Sequence, residues 1–301
     1  MRYNGEESVK HNRCSEKFIA LLVVMTVLLI PSRLFAEEPS YSTSLGFEFT
    51  TGKYGTGIKT DAIFMPFTVA VYPTERLDFS LQIPYVYQSS SAVVAGEFRG
   101  MQPQSMGMGS QSVLAAMGSM GSGTGGPGPR TTASAANVDK SQNGLGDITF
   151  RAGYIVVPEG DYLPGIRPNF FVKFPTADKN KFLGTGAFDG GLAVELFKWF
   201  GYWLTIGELG YAVQGKSSVL AVKNYLYYNA GVGYQIGERL RPMLMLKGST
   251  PPVEGASAQL EARLRVKYQI TEHTGIDGYV SKGINTSSPD YGTGLAFCLD
   301  F

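Results

Sequence analysis

Glu261, Arg263, Arg265 and Lys267 stand at every second position, with Leu260, Ala262, Leu264, Val266 and Tyr268 interleaved. A period of two places the charges on one face of a strand and the apolar groups on the other. A row of fixed charges can screen solutes by sign or pair into an inner network. It can equally be the solvated face of a soluble sheet. The same alternation sets Glu48, Asp78, Gln82, Arg151, Arg167, Asn169, Lys173, Glu195, Glu208, Arg241, Lys247 and Asp277 opposite bulky neighbours. These residues and the first four make up the candidate lining of a pore.

Other chemistry fits poorly. Beyond the N-terminal leader the chain keeps one histidine, His273, in a short turn, so a Ser-His hydrolase lacks its base. A His/Cys metal centre lacks ligands. Gly184-Thr185-Gly186 and Gly231-Val232-Gly233 are not followed by helices and are not phosphate loops. Glu195 and Glu208 could form an acid–base pair, but lumen charges are the simpler reading. The expectation is a protein that is not an enzyme and has no cofactor.

Lys10, Arg13 and Lys17 precede an apolar run from Phe18 to Ile30, Pro31 ends it, and Leu34-Phe35-Ala36 offers a cleavage site. Residues 1–36 read as a signal peptide. The alternative, an anchoring helix, needs about 20 apolar residues, and this run is shorter. Removing 1–36 leaves 21 basic and 22 acidic groups, a balance that does not suggest nucleic acid. Cys14 precedes the apolar run and Cys298 is then alone, so neither a lipoprotein cysteine nor an internal disulfide is expected.

From 37 to 301 the apolar alternation recurs in short segments. Leu77, Phe79, Leu81, Ile83, Tyr85 and Tyr87 mark one, although Pro84 belongs at an edge or bulge. Thr60–Tyr72 is bulky on both faces, so its orientation stays open. Phe197, Trp199, Phe200, Tyr202 and Trp203 flank Gly201 and read as part of an interfacial aromatic girdle. The final segment carries Leu295, Leu299 and Phe297 on one face and ends on Phe301. About twelve strands result. Tight turns such as Pro73–Arg76 and Thr271–His273 alternate with longer connections such as Tyr54–Lys59 and Pro175–Ala187. This is the pattern of an all-β, transmembrane, antiparallel up-and-down β-barrel, with tight turns in the periplasm and long loops outside.

Residues 89–143 form a Gly-, Ser- and Met-rich insertion, expected to be a long flexible external loop. It is a candidate lid, plug or partner-binding loop. Met101, Met106, Met108, Met117 and Met120 are soft thioethers that would suit Cu(I), but a low-complexity tether is the simpler reading.

Three stretches carry a family resemblance. Arg76-Leu77-Asp78-Phe79-Ser80-Leu81-Gln82-Ile83-Pro84-Tyr85-Val86-Tyr87 resembles the third-strand motif of a barrel family named for the MetA pathway of phenol degradation. Gly144-Leu145-Gly146-Asp147-Ile148-Thr149 resembles its Gly-x-Gly-Asp strand opening, and Lys173-Phe174-Pro175-Thr176 its Pro-Thr-Gly element. Ala177 replaces the expected glycine, and the methionine-rich insertion departs from the pattern. The resemblance implies an outer-membrane channel or transporter for small, aromatic or hydrophobic solutes in a Gram-negative-type bacterium. Its partners would be outer-membrane lipid, the solute, and the barrel-insertion machinery reading the C-terminal strand. The other reading is a non-transporting barrel whose external loop binds a partner or surface.

Overall fold

The computed structural model describes residues 40–90, 93–94, 128–129, 141–218 and 221–301. The expected signal peptide, and most of the 89–143 insertion with its methionines, lie outside the described residues. Twelve strands build the wall: β1 Ser40–Gly52, β2 Thr60–Thr74, β3 Leu77–Gln88, β4 in two segments (Gln142–Leu145 and Ile148–Tyr154), β5 Gly165–Phe174 and β6 Asp189–Phe200. They continue as β7 Trp203–Gln214, β8 Tyr225–Tyr234, β9 Leu240–Ser249, β10 Gln259–Gln269, β11 Thr274–Gly283 and β12 Tyr291–Asp300. Each pairs antiparallel with its chain neighbours, and β1 pairs with β12, which closes the ring. Closure removes every edge, so no backbone row is left to face lipid unpaired. Among the described residues no helix is long and apolar enough to cross a membrane.

The alternation sorts side chains as the sequence predicted. Leu45, Leu81, Leu192, Leu209, Leu244, Leu264 and Leu295 point outward and are exposed, Leu192 at 69%. Apolar exposure repeated around the whole ring far exceeds what a soluble monomer shows, and it suits hydrocarbon. The ambiguous β2 resolves with its even-numbered residues inward: Ala62, Phe64, Thr68, Ala70 and Tyr72 are buried.

The aromatic girdle needs a correction. Phe200, Tyr202 and Trp203 are exposed on the outside, and Trp203 meets Tyr234 edge-on at 4.8 Å. Phe197 is buried and Trp199 packs inward with it. Parity decides this: 197 and 199 share the inward face of β6 with Glu195.

Pro84 does not lie at an edge. It is the register partner of Pro66, and both prolines face inward on central strands. Neither can donate to the strand on its far side. The β1–β2 ladder skips Gly46 and Phe47 there, and β4 breaks at Gly146 and Asp147. Gly146 N–H still donates to the Pro84 carbonyl at 2.8 Å, which keeps the halves of β4 on one line.

Beyond β12, Phe301 exchanges both backbone hydrogen bonds with Tyr41, N to O at 2.8 and 3.1 Å. Its side chain is exposed. Longer connections lie at one end of the barrel and shorter ones at the other, with one exception. The β4–β5 connection, residues 155–164, is the longest at the short-turn end.

Candidate solute pathway

Inward-facing side chains form three tiers. At the short-turn end Ala70, Tyr72, Ile155, Phe197, Leu204, Ile206, Met243 and Met245 make one buried apolar cluster, with Trp199 packed on it. It runs from β2 round to β9 as a collar. Bulky groups reach across intervening strands because those strands carry glycine beneath them. A Cβ on Gly165 would lie 1.9 Å from the Phe197 ring.

The middle tier is charged. Arg167 donates to Asp78 through Nε at 3.0 Å and Nη2 at 2.6 Å, and through Nη1 to Glu195 at 2.8 Å. Its guanidinium passes over Gly153, where a Cβ would lie 2.1 Å from Nη2. Asn169 donates to the same Glu195 oxygen at 3.0 Å. Asn229 donates to Glu208. Glu195 Oε2 and Glu208 Oε1 are buried with no protein donor, and the two residues are register partners on β6 and β7.

On the opposite wall Arg263 pairs with Glu261 and lies 4.3 Å over the Tyr279 ring, whose hydroxyl donates to Glu48 at 2.7 Å. Arg265 pairs with Asp277, and Lys267 approaches the same carboxylate at 4.0 Å. Arg241 donates to Gln235 at 2.7 Å and sits 4.9 Å over the Trp199 ring. Arg151 lies 5.6 Å over Phe171. The walls therefore differ in sign: carboxylates dominate on β3, β6 and β7, cations on β9 and β10. Buried charges in this density are tolerable only because they are paired and face away from lipid.

Register explains how six of these groups line up. Arg167, Glu195, Glu208, Asn229, Lys247 and Glu261 are successive cross-strand partners from β5 to β10. Arg167 is the third residue of β5, at the short-turn end, and Glu261 the third of β10, at the long-loop end. The row therefore climbs the lumen as the sheared strands wind round it. Gln82, Thr149, Lys173 and Asp189 make a second row.

The third tier is a cap of loops. Lys173 pairs with Asp189 at 2.5 Å and Asp147 at 3.2 Å and donates to Thr185 at 3.1 Å, tying the 175–188 loop to the wall. A 3₁₀ turn, Lys179–Lys181, directs Leu183 inward against Phe64, Val86 and Ala177. Phe182 packs in a group with Val222, Val253 and Ala256, which joins three loops. Tyr54, in the β1–β2 loop, is buried and bonded to Thr50 at 2.8 Å. Burial, partly offset by that bond, pushes its phenol pKa above the ordinary tyrosine value.

Every candidate residue named from the sequence lies on the inward face. The structure brings together Asp78, Arg167, Asn169 and Glu195 in one network, and Glu48, Glu261, Arg263, Arg265, Lys267 and Asp277 on the facing wall. Gln82 stands apart from both. The sequence list lacked Asn229, Asp147, Asp189 and Tyr279. Parity alone could have found Asn229 and Tyr279. Asp147 and Asp189 sit at a strand break and a strand start, where periodicity gives no signal. Among the described residues no group of three His, Cys, Asp or Glu is placed to hold a metal.

A closed ring of twelve antiparallel strands, apolar outside and charged within, defines an outer-membrane β-barrel. The chain belongs to the family described as "Putative MetA-pathway of phenol degradation", whose model matches residues 102–301. An outer membrane channel from Pseudomonas putida F1 has the same fold, with a TM-score of 0.60 at 12% identity over 91% of this chain and 100% of that one. More loosely similar are the NanC porin, with a TM-score of 0.47 at 10% identity over 86% of this chain and 98% of that one, and the CymD monoaromatic hydrocarbon channel, at 0.40 and 11% over 91% and 90%. Neither of those two overlaps is tight enough to carry an argument. No curated protein matches the chain in sequence.

Proposed function

We propose that the chain is a passive outer-membrane channel for small solutes, neutral aromatic compounds among them. The row of inward polar residues climbing from one end of the barrel to the other is the observation that carries this reading. A barrel of this size lies between side-chain-filled eight-stranded barrels and open porins, so its path is narrow. The apolar collar below the charged tier suits a solute that sheds water readily, because an ion would lose hydration there without a partner. The family's association with phenol degradation points the same way. In this reading the long loops face outward, the tight turns face the periplasm, residues 1–36 are removed on export, and the insertion machinery reads the C-terminal strand.

The test is reconstitution of the full mature chain in planar bilayers and liposomes. Small single-channel currents and faster uptake of phenol-sized solutes than of sugars are expected. Absence of both current and uptake of any solute would overturn the proposal.

A further inference from the structure

A cavity of about 550 Å³ opens at the short-turn end, between the β2–β3 turn, the β4–β5 connection and the end of β6. Its apolar floor is Ile155, Phe197 and Trp199, the same three residues that belong to the collar. Its rim carries Glu75, Glu159 and Asp161 against Arg76 and Lys198.

The site is held in place before any ligand arrives. Glu159 accepts from the Trp199 backbone N–H at 2.7 Å and pairs with Lys198 at 3.4 Å, which fastens the connection to β6. Arg241 over the indole fixes Trp199 from the side of β9. Such a volume suits a compound of one or two rings, since small-molecule pockets span about 300–1,000 Å³. Carboxylates and cations at the rim nearly cancel, so neither sign of ion gains much by entering. A neutral ring can lie on the aromatic floor, and one hydroxyl can hydrogen-bond at the rim.

We infer that this cavity binds neutral hydroxylated aromatic compounds of one or two rings, directly beneath the collar. The role of the site in passage rests on the channel reading; the binding itself does not.

The chain has two tryptophans, Trp199 in the cavity floor and Trp203 on the outer face. The variant Trp203→Phe therefore reports on the cavity and Trp199→Phe on the detergent-facing surface. Each is titrated with 4-bromophenol, a heavy-atom quencher, while its phenol is protonated, and with 4-bromobenzoate as the anion. Expected is saturable quenching of Trp199 that excess phenol relieves, weaker quenching by the benzoate, and only linear quenching of Trp203. Linear, unrelieved quenching of Trp199, or identical curves for the two tryptophans, would overturn the site. Should a variant not show heat-modifiable migration on a gel, the same relief by phenol is read in the unsubstituted protein. There, linear quenching alone again overturns the site. Solute uptake by liposomes is scored separately: saturable binding without uptake sinks the channel and keeps the site, and uptake without binding does the reverse.

Discussion

Arg167 holds two carboxylates at once, Asp78 at 2.6 Å and Glu195 at 2.8 Å. Removing the guanidinium leaves both acids buried without their main donor. Arg167→Met should therefore destabilise the barrel by about 3–5 kcal/mol. The loss is read as a lower temperature for conversion from the compact to the slow-migrating gel form. An unchanged conversion temperature would show the network to be ornamental. Glu208 has a different role. One of its oxygens is buried without a donor, on the wall where carboxylates dominate. Neutralising it weakens that wall's attraction for cations, so Glu208→Gln should shift the reversal potential in a salt gradient toward anion preference. A shift toward cations would contradict the assignment of signs to the two walls.

At the scale of elements, the 175–188 loop and the break in β4 are linked. The break turns Asp147 into a buried acceptor, which takes the Ala177 N–H at 3.0 Å and pairs with Lys173. The loop is thereby anchored to the wall and carries Leu183 into the mouth. Pro84 on the adjacent β3, which cannot donate to β4, makes that break possible. Loosening the loop tip should open the cap. The pair Phe182→Ala and Leu183→Ala removes both apolar anchors, and single-channel conductance should rise severalfold while the barrel keeps its heat-modifiable migration. Unchanged conductance would place the narrowest point elsewhere, and the apolar collar is then the place to look.

For the whole molecule, closure depends on the seam between β1 and β12, and Phe301 extends that seam by one residue through Tyr41. Its ring stands on the outside, where a hydrocarbon–water boundary can hold it. Phe301→Ser should lower the amount of chain recovered in the outer membrane in pulse-chase fractionation, with the remainder degraded or retained in the periplasm. Full recovery at the normal rate would remove Phe301 from the insertion signal.

Much of this was legible in the chain itself. Alternation at β3 and β10 gave strand limits to within about a residue, because a lipid-facing strand must keep its parity for its whole length. The same parity assigned every named charge to the inside. Parity also places Phe197 and Trp199 inside, against the girdle that their aromatic type suggests, and it could not orient β2, where both faces are bulky. Which charge meets which was beyond reach. Arg167 finds Asp78 only because Gly153 leaves the space between them, and Lys173 finds Asp147 only because a strand breaks opposite a proline. Period-two patterning fixes the face each residue occupies. Shear, strand breaks and inward-folded loops fix its height and its neighbours, and those depend on contacts far apart in the chain.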